Sequence, residues 1–199
     1  MKTVLYLAIL FVFFVSCKKQ PPFTWTLPEA TTTGANTMGF MLNGSGVWSS
    51  IKHGIFFSGM PVNPNNPDAT FFHPTTYNPL NVLNFSGVMK IKDNRSNLIH
   101  NSYFRVVIQD YNFTSNAYSF DTLRTSNWAY YEDGIAGKEY YNYTNNSFSV
   151  QFTKVDTTQK IISGYFSGAL YSKNGTQYNL SESVSVQNGR FDIKYNDYY

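Results

Sequence analysis

The sequence predicts an all-β fold, an antiparallel β-sandwich or barrel-like arrangement of roughly ten short strands. Three observations carry that reading. Apolar and polar residues alternate with period two along much of the chain, while helical apolar spacing never lasts beyond a turn or two. The alternating runs are rich in β-branched and aromatic residues, which suit a pleated, half-buried surface. Asn43-Gly44, Asn174-Gly175 and Asn188-Gly189 are pairs that supply the positive φ angles of tight hairpin turns.

In chain order, strands are expected near 37–43 and 46–51 around the first Asn-Gly pair, then near 54–58 and 82–92. At 103–111, Phe104, Val106 and Ile108 alternate with Arg105, Val107 and Gln109. Shorter strands are expected near 117–122, 127–131 and 138–143, the last two parted by Asp133-Gly134. At 147–155, Phe148, Val150 and Phe152 share one face. Strands near 160–172, 176–186 and 190–195 complete the set, with hairpins expected at Asn174-Gly175 and Asn188-Gly189. Residues 59–81 stand apart. Pro61, Pro64, Pro67, Pro74 and Pro79 lack the ladder N–H, so a long loop without an interior strand is expected there.

The start of the chain reads as an export signal over residues 1–16. Lys2 precedes the 12-residue apolar run Val4 to Val15, which as a helix spans about 18 Å against a hydrocarbon core of about 30 Å. Cys17 follows directly, and FVSC resembles a bacterial lipobox with Phe14 in place of the usual Leu. Lipidation of Cys17 is therefore expected, giving outer-membrane attachment through acyl chains. Lys18-Lys19-Gln20 places no acidic residue after the lipid, which favours the periplasm-facing side. Cys17 is the only cysteine, so no disulfide supports the fold. Residues 17–36 are Pro- and Thr-rich and read as a tether, leaving 37–199 as one all-β domain.

Composition and missing motifs narrow the function. Fifteen Lys and Arg against 12 Asp and Glu give a net charge of +3, too small for a nucleic-acid footprint. His53, His73 and His100 have no partner at metal-ligand spacing, and Asn63 to Asp68 lacks calcium-loop spacing, so no cofactor is expected. There is no G-x-S-x-G nucleophile elbow, and Gly134 to Lys138 is too short for a phosphate loop. Asp121-Thr122-Leu123 and Asp156-Thr157-Thr158 resemble the short O-glycosylation acceptor of Bacteroidota, with Thr122 and Thr157 as the hydroxyl donors.

Two stretches carry a family resemblance: Leu27 to Gly44 (LPEATTTGANTMGFMLNG) and Ile162 to Tyr195 (ISGYFSGALYSKNGTQYNLSESVSVQNGRFDIKY). They resemble the TGANT-like opening and SGTFSG…GRFDVKY-like closing hairpin of a family of uncharacterised Bacteroidota lipoproteins. Phe40 departs from that pattern, where Cys is frequent. The resemblance implies a cell-envelope lipoprotein and assigns no catalytic or binding residue.

The candidate site comes from the residues themselves. Trp128, Tyr131, Tyr140 and Tyr141 cluster around a turn, and such rings stack on sugars or on a partner's surface. Alternation sets Trp128 and Tyr131 on opposite faces and likewise Tyr140 and Tyr141, so some are core and some outward. The leading expectation is a non-catalytic envelope lipoprotein that binds a glycan or an envelope protein. The alternative is a saccharide hydrolase using carboxylates near Glu132 and Glu139, which would have to face each other across a cleft.

Overall fold

The computed structural model describes residues 27–44, 47–49, 68–73, 80–92, 99–109, 111–112, 116–120, 127–143 and 147–198. The expected export signal, Cys17, Thr122 and the strand expected at 54–58 lie outside the described residues. Those described form eleven strands: β1 (Thr37–Leu42), β2 (Val47–Ser49), β3 (Asp68–Phe72), β4 (Val82–Lys92), β5 (Ile99–Gln109), β6 (Ala117–Phe120), β7 (Trp128–Asp133), β8 (Lys138–Tyr141), β9 (Phe148–Asp156), β10 (Ile161–Asn174) and β11 (Gln177–Tyr198). No helix occurs among them. The fold is all-β, as the alternation predicts.

The strands hydrogen-bond in the order β2-β1-β11-β3-β4-β5-β7-β8-β10-β9-β6. A further pairing of β10 with β11 closes seven of them (β11, β3, β4, β5, β7, β8, β10) into a ring. The β10–β11 hairpin is the spine of this arrangement, because each long strand changes partner along its outer edge. β11 pairs with β1 over Val186–Asp192 and then with β3 over Tyr195–Tyr198. β10 pairs with β9 over Ile161–Gly168 and then with β8 at Tyr171 and Ser172. Register shifts at Phe166/Gly168 and Tyr171/Ser172 bend the hairpin where the partners change, as bulges do at barrel corners.

Three expectations about the strands change. Residues 68–72 form β3, an interior strand between β11 and β4, within the segment expected to be a loop. Pro67 and Pro74 flank the strand without entering it, and Ala69 and Phe71 point into the core at period two. β3 also runs parallel to β11, the one parallel pairing among the described strands of an otherwise antiparallel fold. Asn188-Gly189 is no hairpin: it lies inside β11, a single strand of 22 residues, beside the Phe166/Gly168 bulge. Asn188 takes a φ of 51°, and a bulge uses positive φ as readily as a turn does. Gly189 is required for another reason, since a Cβ there would stand 2.4 Å from the Phe166 ring.

The other two Asn-Gly pairs do mark turns. Asn43 and Gly44 both take positive φ between β1 and β2. In the second, Asn174 pairs with Gln177, so Gly175 and Thr176 form the loop, with Gly175 at φ 59°.

The interior is a stack of aromatic rings contributed from both sides. Phe104 of β5 lies 4.9 Å from Phe166 of β10 and 4.8 Å from Phe40 of β1. Phe85 of β4 stacks on Phe191 of β11 at 4.6 Å. All five are buried, so rings of the β3–β4–β5–β7–β8 wall interdigitate with rings of the β1–β11–β10–β9 wall.

The N-terminal approach to the domain is pinned rather than free. Asp192 of β11, 1% exposed, accepts hydrogen bonds from the amides of Thr33 (3.0 Å), Gly34 (2.9 Å) and Ala35 (3.0 Å). The Thr31 and Ser163 hydroxyls also donate to it, at 2.5 and 2.7 Å. Asn36 Oδ1 accepts from the Lys194 amide at 2.9 Å, one residue pair further along. Gly34 sits at φ 74°, with Lys194 Cγ only 2.9 Å from where a Cβ would be. Residues 31–36, expected to be tether, therefore belong to the folded body. The TGAN (33–36) and GRFD (189–192) segments meet at this carboxylate.

Candidate functional site

Alternation decides the fate of each candidate ring. In β7, Ala129 and Tyr131 point inward, while Trp128, Tyr130 and Glu132 point outward. In β8, Tyr140 points inward and Tyr141 outward. Tyr131 (1% exposed) and Tyr140 (6%) belong to the core, with ring centroids 6.0 Å apart. Neither ring is open to a ligand: cross-strand pairing seats the two together in the interior, with Tyr131 edge-on to Phe40. Trp128 and Tyr141 are half-buried on the outer face. We expect Tyr140→Ala to cost about 3 kcal/mol of unfolding free energy and Tyr141→Ala about 1 kcal/mol or less, read from chemical denaturation of the two variants.

Trp128 and Tyr141 are parts of a larger array that neighbouring strands complete. Tyr103 of β5 lies 6.0 Å from Tyr130 of β7, and Tyr130 lies 4.9 Å from Tyr141 of β8. Lys173 of β10 places its ammonium 4.9 Å from the Tyr141 ring and 5.2 Å from the Tyr178 ring of β11. Tyr178 continues to Tyr143 at 4.7 Å, and Tyr143 to Tyr171 at 6.1 Å. At the other end the Arg105 guanidinium stands 5.1 Å from the Trp128 ring, held by a 2.8 Å bond from its Nε to Asn84 Oδ1. The result is a ribbon of half-buried rings running across β5, β7, β8, β10 and β11.

Glu132 and Glu139 are direct cross-strand partners on this same face. The Tyr130 hydroxyl lies 3.0 Å from Glu132 Oε2 and 3.3 Å from Glu139 Oε1, while the Tyr141 hydroxyl donates to Glu139 Oε2 at 3.2 Å. Burial, then the Glu132 charge and its hydrogen bond, push the Tyr130 phenol well above its ordinary range. Burial and the Glu139 charge push Tyr141 up to about 12. Both phenols therefore remain protonated donors at neutral pH. The two carboxylates sit side by side on an outward sheet face, bridged by the Tyr130 hydroxyl.

The charges on the ribbon balance, with Arg105 and Lys173 against Glu132 and Glu139. Such a surface offers flat rings, fixed hydroxyl donors and carboxylate acceptors. Trp128 and Tyr141 are legible in the sequence as a local cluster, whereas Tyr103, Arg105, Tyr171, Lys173 and Tyr178 come from strands distant in the chain. Comparison of the chain with protein-family models, with curated proteins and with solved structures finds no match.

Proposed function

We propose that the protein is a non-catalytic, glycan-binding module of the bacterial cell envelope, held at the outer membrane by a lipid on Cys17. The observation that carries the binding reading is the continuous outward ribbon from Tyr103 through Tyr130 and Tyr141 to Tyr178. Half-buried rings present their faces to a ligand at little conformational cost, since neighbouring rings and hydrogen bonds hold them. Their electrical balance favours a neutral saccharide. Sugar rings would stack on the tyrosine faces while Glu132 and Glu139 accept from sugar hydroxyls. The membrane reading rests on the apolar run, the lipobox-like FVSC and the family resemblance.

Trp128 reports on this face. Titration of the purified protein with neutral oligosaccharides is expected to change tryptophan fluorescence saturably, and Tyr141→Ala is expected to weaken that binding by about 1–2 kcal/mol, or roughly tenfold, with little loss of stability. A fluorescence signal insensitive to every neutral glycan tried would count against the reading.

A further inference from the structure

A recess lies on the β9–β10–β11 surface, where the N-terminal segment passes over it. It has a volume of about 110 Å³ and is lined by Glu29, Thr32, Thr153, Tyr165 and Arg190, among others. Tyr165 and Arg190 are direct cross-strand partners, and Arg190 faces side-chain-free Gly39 on its other side. The Arg190 Nε is buried and has no hydrogen-bond acceptor among the described residues. Glu29 lines the same recess, yet no ion pair joins it to Arg190. A buried guanidinium N–H without an acceptor is costly, and a planar, delocalised cation of this kind matches a carboxylate bidentately.

The remaining walls narrow the ligand. Tyr165, the cross-strand partner of Arg190, is 45% exposed and offers a ring face for stacking. The Thr32 and Thr153 hydroxyls can exchange hydrogen bonds with ligand hydroxyls. Glu29 sets its negative charge against a multiply charged anion such as phosphate, and that repulsion is milder for a monoanion. We infer that this recess binds a carboxylate-bearing sugar unit, its carboxylate on Arg190 and its ring against Tyr165. The inference does not rest on the tyrosine ribbon, since none of the ribbon's rings lines the recess.

The test uses the whole purified protein and D-glucuronate as probe, followed by calorimetry or by nuclear magnetic resonance shifts, with glucose and inorganic phosphate as comparisons. Glucuronate is expected to bind saturably and more tightly than either. Arg190→Gln should weaken it about tenfold or more, as expected when hydrogen bonds to a charged group are lost. Tyr165→Ala, at an exposed position where folding is not at stake, should also weaken it, and Tyr141→Ala should leave it unchanged. No saturable glucuronate binding, equal affinity for glucose or phosphate, or undiminished binding by both Arg190→Gln and Tyr165→Ala would overturn the inference. Loss of glucuronate binding in Tyr141→Ala would relocate the probe to the tyrosine ribbon and would overturn it as well.

Discussion

Replacing Asp192 with Asn is expected to lower the unfolding free energy by about 4 kcal/mol, because donors aimed at an anion then lose their acceptor or meet an amide N–H₂. Three backbone amides and two hydroxyls converge on this carboxylate, which is almost fully buried. Burial alone would raise its pKa, but the Ala35 amide, the Thr31 and Ser163 hydroxyls and the Gly34 amide outweigh it and hold the value to about 2. The folded pKa lies below the unfolded one of about 3.9, so the carboxylate's contribution is complete above pH 4 to 5 and is lost as pH falls towards 2. That contribution amounts to about 2–3 kcal/mol of acid-sensitive stability. Urea unfolding at pH 7 and at pH 3 should therefore show a larger decline for the wild type than for Asp192→Asn. Hydrogen exchange at Thr33 to Ala35 should quicken in the variant, since these amides lose the partner that docks them.

Phe166→Ala should be as damaging, at about 4–5 kcal/mol, with the upper end of the range expected because the cavity opens where both walls meet. The Phe166 ring lies 4.9 Å from Phe104, 5.8 Å from Phe40 and 6.1 Å from Phe148, and it also covers Gly189. Phe166→Leu keeps most of the volume and should lose less than half as much, which separates cavity formation from a general intolerance at the site. Equilibrium denaturation with unchanged slope would attribute the effect to stability rather than to a change in the unfolded chain.

Much of the fold is legible because its cause is local. β4 falls on residues 82–92 as alternation and flanking polar residues dictate, and the inward-outward split of Tyr140 and Tyr141 follows from period two alone. What stays hidden is decided by partners far away in the chain. The prolines around residues 68–72 obscure β3, whose place depends on pairing with Tyr195–Tyr198. Asn188-Gly189 announces positive φ without saying whether the chain turns back or bulges, and Phe166 settles that from the neighbouring strand. Asp192 reads as an ordinary strand aspartate until the amides of Thr33, Gly34 and Ala35, roughly 160 residues away, are brought to it. The outer ribbon has the same character. Trp128 and Tyr141 are visible as a local aromatic cluster, whereas the match of Tyr103 to Tyr130 and of Lys173 to Tyr141 arises only from strand register.

The outward tyrosine ribbon is proposed as a glycan-binding surface. A glycan array probed with the wild-type protein and with Tyr130→Ala/Tyr141→Ala tests it most directly, with Tyr165→Ala carried alongside. The wild type is expected to retain a set of neutral glycans, the double variant to lose that set while remaining folded by circular dichroism, and Tyr165→Ala to keep it. A folded double variant that retains the same glycans as the wild type, or a wild type that retains no neutral glycan, would contradict it.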